Sequence, residues 1–237
     1  MMHDLEKRPG CPVPSPEGSA LRVRAVACEL LAFSFRYPDR SLAKAVSSGE
    51  WAEAAREVWA ELELALPEGW DEGLASCAGS DPETLLHALR VEATRLFVGA
   101  PEPAVSPYEG VWRAADEGVQ TLLFVNPHSM DVERFVKSCG VGHREGTNEP
   151  LDHVATELEF LQWLYMAATG EAGAPAEADA PNDGWAGAAD RFLDEHAQVW
   201  MPRFARKVME ESREPFYRCA AALLEALAVA SSGLPAD

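Results

Sequence analysis

Hydrophobic positions along this chain recur every three or four residues, the spacing of helices that each bury one face. Val23, Val26, Leu30, Phe33 and Tyr37 share such a face and predict a helix from Ser19 that stops before Pro38. Trp51, Ala55, Val58, Leu62 and Leu66 mark a second, ended by Pro67-Glu68-Gly69. Asp81-Pro82-Glu83 combines an N-cap, a proline at the first helical position and an acid beside the helix dipole. The helix it opens carries Leu85, Leu86, Leu89, Leu96 and Phe97, with Gly99 just past its end. GAPEPAVSPYEG, residues 99–110, reads as a loop kept extended by three prolines. Asn126-Pro127 opens the next helix, with Val132, Phe135, Val136 and Cys139 inward and Gly140 closing it. After the polar stretch GHREGTNEP comes the clearest stripe of all: Leu151, Val154, Leu158, Leu161 and Tyr165. Gly170 to Gly184, rich in Ala, Gly, Pro and Asp, reads as a flexible linker. Pro202 and Pro215 divide the rest of the chain into three helical pieces, Phe192 to Trp200, Phe204 to Met209 and Phe216 to Ala230. There is no internal repeat, and no alternation long enough to pair strands. The pattern predicts an all-α fold, a single compact helical domain over 19–232, behind a disordered arm at 1–18 that holds four prolines.

Composition agrees with the helical pattern without proving it. The chain has 39 Ala, 6 Thr and no Ile, a bias toward helix formers. Only 4 of its 20 basic residues are Lys, so GC-rich coding would produce the same bias, and periodicity decides. Charge narrows the partners more firmly. Lys+Arg 20 against Asp+Glu 39 gives −19, which disfavours a phosphate backbone or an anionic membrane surface. It suits cationic partners, and it also simply keeps a protein in solution. No apolar run approaches the roughly 18–20 residues of a membrane span. The opening MMHDLEKRPGCPVPSPEG lacks the apolar segment of a secretion signal, so a cytoplasmic location without stable membrane association is expected. Cys11, Cys28, Cys77, Cys139 and Cys219 are odd in number and contain no C-x-x-C, which points to reduced thiols and not to disulfides or zinc.

Two constellations could carry chemistry. No Gly-rich phosphate loop, G-x-S-x-G elbow or paired Cys/His set is present. Asp152, His153 and Glu157 sit at a helix start, with His153 and Glu157 four residues apart on one face. One His with carboxylates is a partial metal site or an acid/base pair, yet no second E-x-x-H or H-x-x-x-E supplies facing ligands. Helix-end support by Asp152 and a junction hydrogen bond by His153, or a binding role, are the other readings. The second constellation runs from Leu96-Phe97-Val98-Gly99 into Ser106-Pro107-Tyr108-Glu109-Gly110-Val111-Trp112. A helix end, a rigid loop and several aromatics can make an apolar groove with an acidic lip, fit for an amphipathic peptide. Core aromatics beside a structured loop explain the same residues.

The segments EATRLFVGAPEPAVSPYEGVW, NEPLDHVATELEFLQWL, FLDEHAQVWMPRFARKV and EPFYRCAAALLEAL, in that order, resemble successive motifs of the TorD/DmsD family. That family comprises cytoplasmic chaperones of molybdoenzyme maturation and is related to the NarJ group; the resemblance extends from about Ser19 to about Ala230. It implies an all-helical protein without catalytic activity or a cofactor of its own. The implied partner is an apo molybdoenzyme catalytic subunit and its twin-arginine leader, with the chaperone assisting folding, cofactor insertion and export. By the same resemblance Leu96, Phe97, Pro107, Tyr108, Trp112, Asp152 and His153 match positions implicated in leader binding. The chain departs from the family pattern at Ala93, where some members place an aromatic, at Ala100, where Pro is common, and at Gly110, where Ser is frequent. Some members bind guanine nucleotides, but no nucleotide loop stands in this sequence.

A leader with two arginines and an apolar stretch needs a slot and carboxylates, which Glu109, Glu149, Asp152 and Glu157 are expected to supply beside the aromatics. Exposed Arg–carboxylate pairs yield about 0–1 kcal/mol, so apolar anchors set affinity while charge sets orientation and on-rate. The alternatives are a NarJ-type chaperone for a client that is not exported, and a helical metal-dependent enzyme using Asp152, His153 and Glu157. The 170–184 linker and domain exchange among family members together suggest a monomer with a minor dimer formed by exchanged C-terminal helices.

Overall fold

The computed structural model describes residues 16–118, 126–142, 150–170 and 179–231. The described residues are helical, and their only sheet-like pairing is an isolated antiparallel bridge between Tyr108 and His153. In chain order the helices are α1 (Pro16–Phe35), α2 (Arg40–Ser48), α3 (Glu50–Glu61), α4 (Pro82–Ala93) and α5 (Glu109–Asp116). They continue with α6 (Pro127–Ser138), α7 (Val154–Ala168), α8 (Gly184–Phe192), α9 (Gln198–Glu211) and α10 (Pro215–Ser231). α1 lies along α7, α7 also packs on α8, α9 pairs with α10, and α5 bridges α6 and α9.

The caps fall where the side chains can supply them. Asp81 accepts from the Thr84 N–H at 2.9 Å and Asn126 from the His128 N–H at 2.9 Å, each ahead of a proline in the first turn. Val132, Val136 and Cys139 are buried as their spacing predicts, and so are Val154, Leu158, Leu161 and Tyr165 on α7. The four cysteines among the described residues are free and buried; burial pushes the Cys28 thiol up to about 12.

Four expectations need correction. The stripe chosen for α1 is not its core face: Val26 and Tyr37 are 42% and 58% exposed. The buried face is Ala25, Cys28, Ala32 and Phe35, together with Leu31, and its small side chains let the α1 backbone lie close to α7. α1 also starts at Pro16, inside the stretch expected to be an arm; the remainder of that arm, 1–15, lies outside the described residues. The second helix stops at Glu61, because Leu62 closes it and Glu63 turns to φ 56°; Leu62 and Leu66 pack on the core from the loop beyond. Finally, Pro202 does not separate two helices but lies inside α9. It is the fifth residue of α9, which follows directly on a π turn at Leu193–Ala197, and its missing N–H withdraws the helical partner of the Gln198 carbonyl without ending the helix. Three short helices, α2, α5 and α8, had no counterpart in the pattern, and the piece expected over Phe192 to Trp200 is the π turn with the first residues of α9. Of the 170–184 linker, residues 171–178 lie outside the described residues.

A π turn at Thr94–Val98 also ends α4, and Gly99 follows with φ 28°. A Cβ at Gly99 would come within 2.5 Å of the Glu102 carbonyl oxygen, so the chain can fold back here only through glycine.

Candidate functional site

Three elements meet at the bridge between Tyr108 and His153. The Glu109 N–H donates to the Asp152 carbonyl and the Val154 N–H to the Pro107 carbonyl, both at 2.9 Å. This short ladder fastens the proline loop to the start of α7. Outside it runs a groove of about 780 Å³, walled by the end of α1 (Phe35 to Tyr37), the π turn (Phe97, Val98), Pro107 and Tyr108, and α7 as far as Trp163. Tyr37 and Val98 are large hydrophobic side chains left exposed at its edge. A larger cleft of about 1750 Å³ lies away from these residues, between the 64–73 loop and α9–α10.

The expected site residues divide into two layers. Phe97, Pro107, Tyr108 and His153 line the groove. The Tyr108 ring meets the His153 ring edge-on at 5.3 Å, and Phe97 rests on Phe35, Phe204 and Tyr217. His153 caps α7, its Nδ1 accepting from the Ala155 N–H at 3.1 Å. Burial lowers its pKa to about 4, so it stands neutral at physiological pH.

Glu109, Asp152 and Glu157 do not form an acidic lip. All three are buried beneath the bridge, away from the groove. Asp152 Oδ2 accepts from the Gly110 N–H at 3.0 Å and from Ser129 Oγ at 2.6 Å. Glu109 takes Arg113 at 2.8 Å and His196 Nδ1 at 3.1 Å. Glu157 Oε2 accepts from Trp200 Nε1 at 3.1 Å. Packing explains the placement: α5, α6, α7 and α9 converge here, and each carboxylate gathers the polar hydrogens those helices bring. Leu96 is likewise core, fully buried. Trp112 lies outside the groove, its Nε1 donating to the Ser106 carbonyl at 2.8 Å and its ring under the Arg203 guanidinium. Glu149 falls outside the described residues.

Gly110, where the family pattern often has Ser, has no room for a side chain. A Cβ there would stand 2.4 Å from Ser129 Oγ and 2.9 Å from the Asn126 amide, and Asn126 itself donates to the Gly110 carbonyl at 2.6 Å. The hydroxyl on Asp152 comes from Ser129 instead. Spacing had one usable signal for this inner cluster: Glu109 with Arg113, and His196 with Trp200, are each four residues apart on a helix.

The buried carboxyls and His153 pull stability in opposite directions with pH. Glu157 is raised well above the usual carboxylate range, first by burial and then by the Glu109 charge, and Asp152 is raised by burial. A protonated Glu157 can donate to Glu109, which joins the two groups. Groups raised on folding stabilise fully below their unfolded pKa and lose that contribution as pH climbs through the folded value. His153, lowered from 6.5 to about 4, works the other way: its contribution is complete above 6.5 and is lost as pH falls toward 4. Of these three groups only the carboxyls still lose their contribution above pH 6.5. They are therefore expected to lower thermal stability as pH climbs from 6.5 through the folded Glu157 value, below the range where the buried thiols begin to ionise. Glu157→Gln keeps an acceptor for Trp200 and a donor for Glu109, and melting curves across that range should show the decline flattened. A decline as steep as the wild type's would place its origin elsewhere.

An all-helical chain with a groove pinned by a two-bond bridge fits a binding protein, and comparison with known proteins agrees. The chain belongs to the TorD/NarJ family of redox-enzyme maturation chaperones: the family model described as nitrate reductase delta subunit matches residues 48–206. The selenate reductase assembly chaperone protein of Thauera selenatis is 33% identical over 131 residues, 54% of this chain and 61% of that one. Chaperone protein TorD of Photobacterium profundum is 27% identical over 131 residues, 55% and 56% of the two chains. The chain thus spans about three-fifths or less of the length of the curated relatives it matches. A crystal structure of a redox enzyme maturation protein from Archaeoglobus fulgidus covers 92% of this chain and 98% of its own, at 20% identity and a TM-score of 0.49. No described helix is long and apolar enough to cross a membrane.

His153 and Glu157 do not act together: one faces the groove and the other lies beneath it, bonded to Trp200. Among the described residues no cluster of His, Cys, Asp and Glu could hold a metal ion.

Proposed function

We propose that the protein is an assembly chaperone, without catalytic activity, for the apo catalytic subunit of a molybdopterin-dependent oxidoreductase, and that its groove takes the subunit's twin-arginine leader. The observation that carries this reading is the groove itself. Phe97, Pro107, Tyr108 and His153, four of the seven positions that the resemblance marks, come from segments distant in sequence yet line it together. Its apolar side chains suit the hydrophobic stretch of a leader, and the net charge of −19 suits a cationic one.

Titration calorimetry with the leader peptide of a molybdoenzyme encoded beside this chain tests the proposal. Micromolar binding, about −8 kcal/mol, is within reach of a few buried anchors once the ordering of the peptide is offset. Absence of binding at hundreds of micromolar would overturn it.

A further inference from the structure

Burial of Glu109, Asp152 and Glu157 removes three of the carboxylates expected to face the leader. Among the described residues that line the groove, one acid remains: Glu159, on α7. It stands four residues beyond Ala155 and six beyond His153, on the same groove-facing wall. Its partner is another groove residue, Arg36, which follows the last residue of α1 and whose Nε donates to Glu159 Oε1. Both side chains are half exposed, 52% for Arg36 and 40% for Glu159, so solvent and ligand reach the pair.

From this arrangement we infer that Glu159 recognises an arginine of the leader, and that Arg36 occupies the carboxylate until the leader's guanidinium replaces it. The inference rests on the leader-binding reading above and names the residue that gives it charge selectivity.

Exchange of one guanidinium for another keeps the charge and the type of hydrogen bond, so little is lost in the swap. An exposed pair of this kind contributes little net stability in any case. The resident pair joins Nε to one carboxylate oxygen, whereas an incoming arginine can present its planar fork to both. A peptide without arginine gains nothing at Glu159 and must bind through the apolar wall alone. Arg36 therefore sets a threshold: it masks Glu159 from stray cations and lowers affinity for the leader by the work of its own displacement.

The test uses the full chain and a labelled peptide with Arg-Arg ahead of an apolar stretch, alongside the same peptide with Gln-Gln. Fluorescence anisotropy at low and high salt gives the affinities. The wild type should prefer Arg-Arg by about fivefold at low salt, the size of an exposed ion pair, with the preference shrinking at high salt. Glu159→Gln should abolish the preference and leave Gln-Gln binding unchanged. Arg36→Gln should bind Arg-Arg a few-fold tighter and Gln-Gln as before, while the double variant should match Glu159→Gln. Both positions are exposed, so neither variant threatens the fold. If Glu159→Gln keeps the Arg-Arg preference, or Arg36→Gln binds Arg-Arg no tighter, the inference is wrong. Equal binding of both peptides by the wild type, lost in Tyr108→Ala, overturns this inference alone. Binding that ignores Tyr108→Ala, or no binding at all, overturns the leader reading and this inference with it.

Discussion

Asp152→Ala is expected to destabilise the fold by about 2–4 kcal/mol, because it strands a buried donor and a half-buried one at once. The Gly110 N–H and the Ser129 hydroxyl both end on Asp152 Oδ2, and the Asp152 side chain is buried. Part of that cost is returned, since Asp152 is itself an expensive group to bury and its Oδ1 has no hydrogen-bond partner. Asp152→Asn keeps an acceptor for Gly110 and should lose less than half as much. For a chain of this size the Ala variant should melt roughly 5–15 °C lower. Calorimetric melting of the two variants checks this, and an Ala variant within a degree of wild type would show that the inner cluster is not what fixes the bridge. Any loss of leader binding in Asp152→Ala would then come from a loosened groove floor, because the side chain does not face the groove.

Tyr108→Ala should have the opposite profile, a large loss of binding with little loss of stability. The ring is half-buried and packed edge-on against His153, at the meeting point of the proline loop and α7. It is the N-cap residue of α5, but its side chain makes no capping hydrogen bond, so its removal takes no such bond from the helix start. As an aromatic anchor in an interface it should be worth about 1–3 kcal/mol, a weakening of roughly 5- to 150-fold in leader affinity. Phe97→Ala would be a poorer probe, because Phe97 also packs on Phe35, Phe204 and Tyr217 and its loss reaches the core. Titration of a folded Tyr108→Ala with the same leader peptide settles the point. Unchanged affinity would mean that the leader, if bound, sits elsewhere.

What periodicity could read was the burial of long stripes. α6 and α7 came out almost residue by residue, because their core faces are built from Val, Leu and aromatic side chains at helical spacing. α1 did not, because its core face uses Ala25, Cys28 and Ala32, residues that carry little hydrophobic signal and are buried for their smallness. α9 was split in two because a proline inside a helix is normally a break, and a π turn cannot be read from a hydrophobic pattern. The groove's aromatics were legible as a group, and Phe97, Pro107, Tyr108 and His153 do come together. The carboxylates were not. Charge in a sequence is read as exposed by default, and only tertiary packing shows that Glu109, Asp152 and Glu157 each have donors waiting inside. Glu159 was passed over for the same reason in reverse: nothing in its neighbourhood in sequence marks it as facing a groove.

Tyr108 and His153 lie far apart in sequence, and the two backbone hydrogen bonds of the bridge join their segments. The groove therefore has no existence in the unfolded chain or in any partly folded one that lacks the bridge. A ligand touching both walls binds only the state in which the bridge is closed, so occupancy and folding draw on one equilibrium. At a hundred times its dissociation constant such a ligand adds about 2.7 kcal/mol to the free energy of unfolding. A client held in this groove, as proposed, would steady the chaperone itself and leave the empty protein the less durable of the two forms.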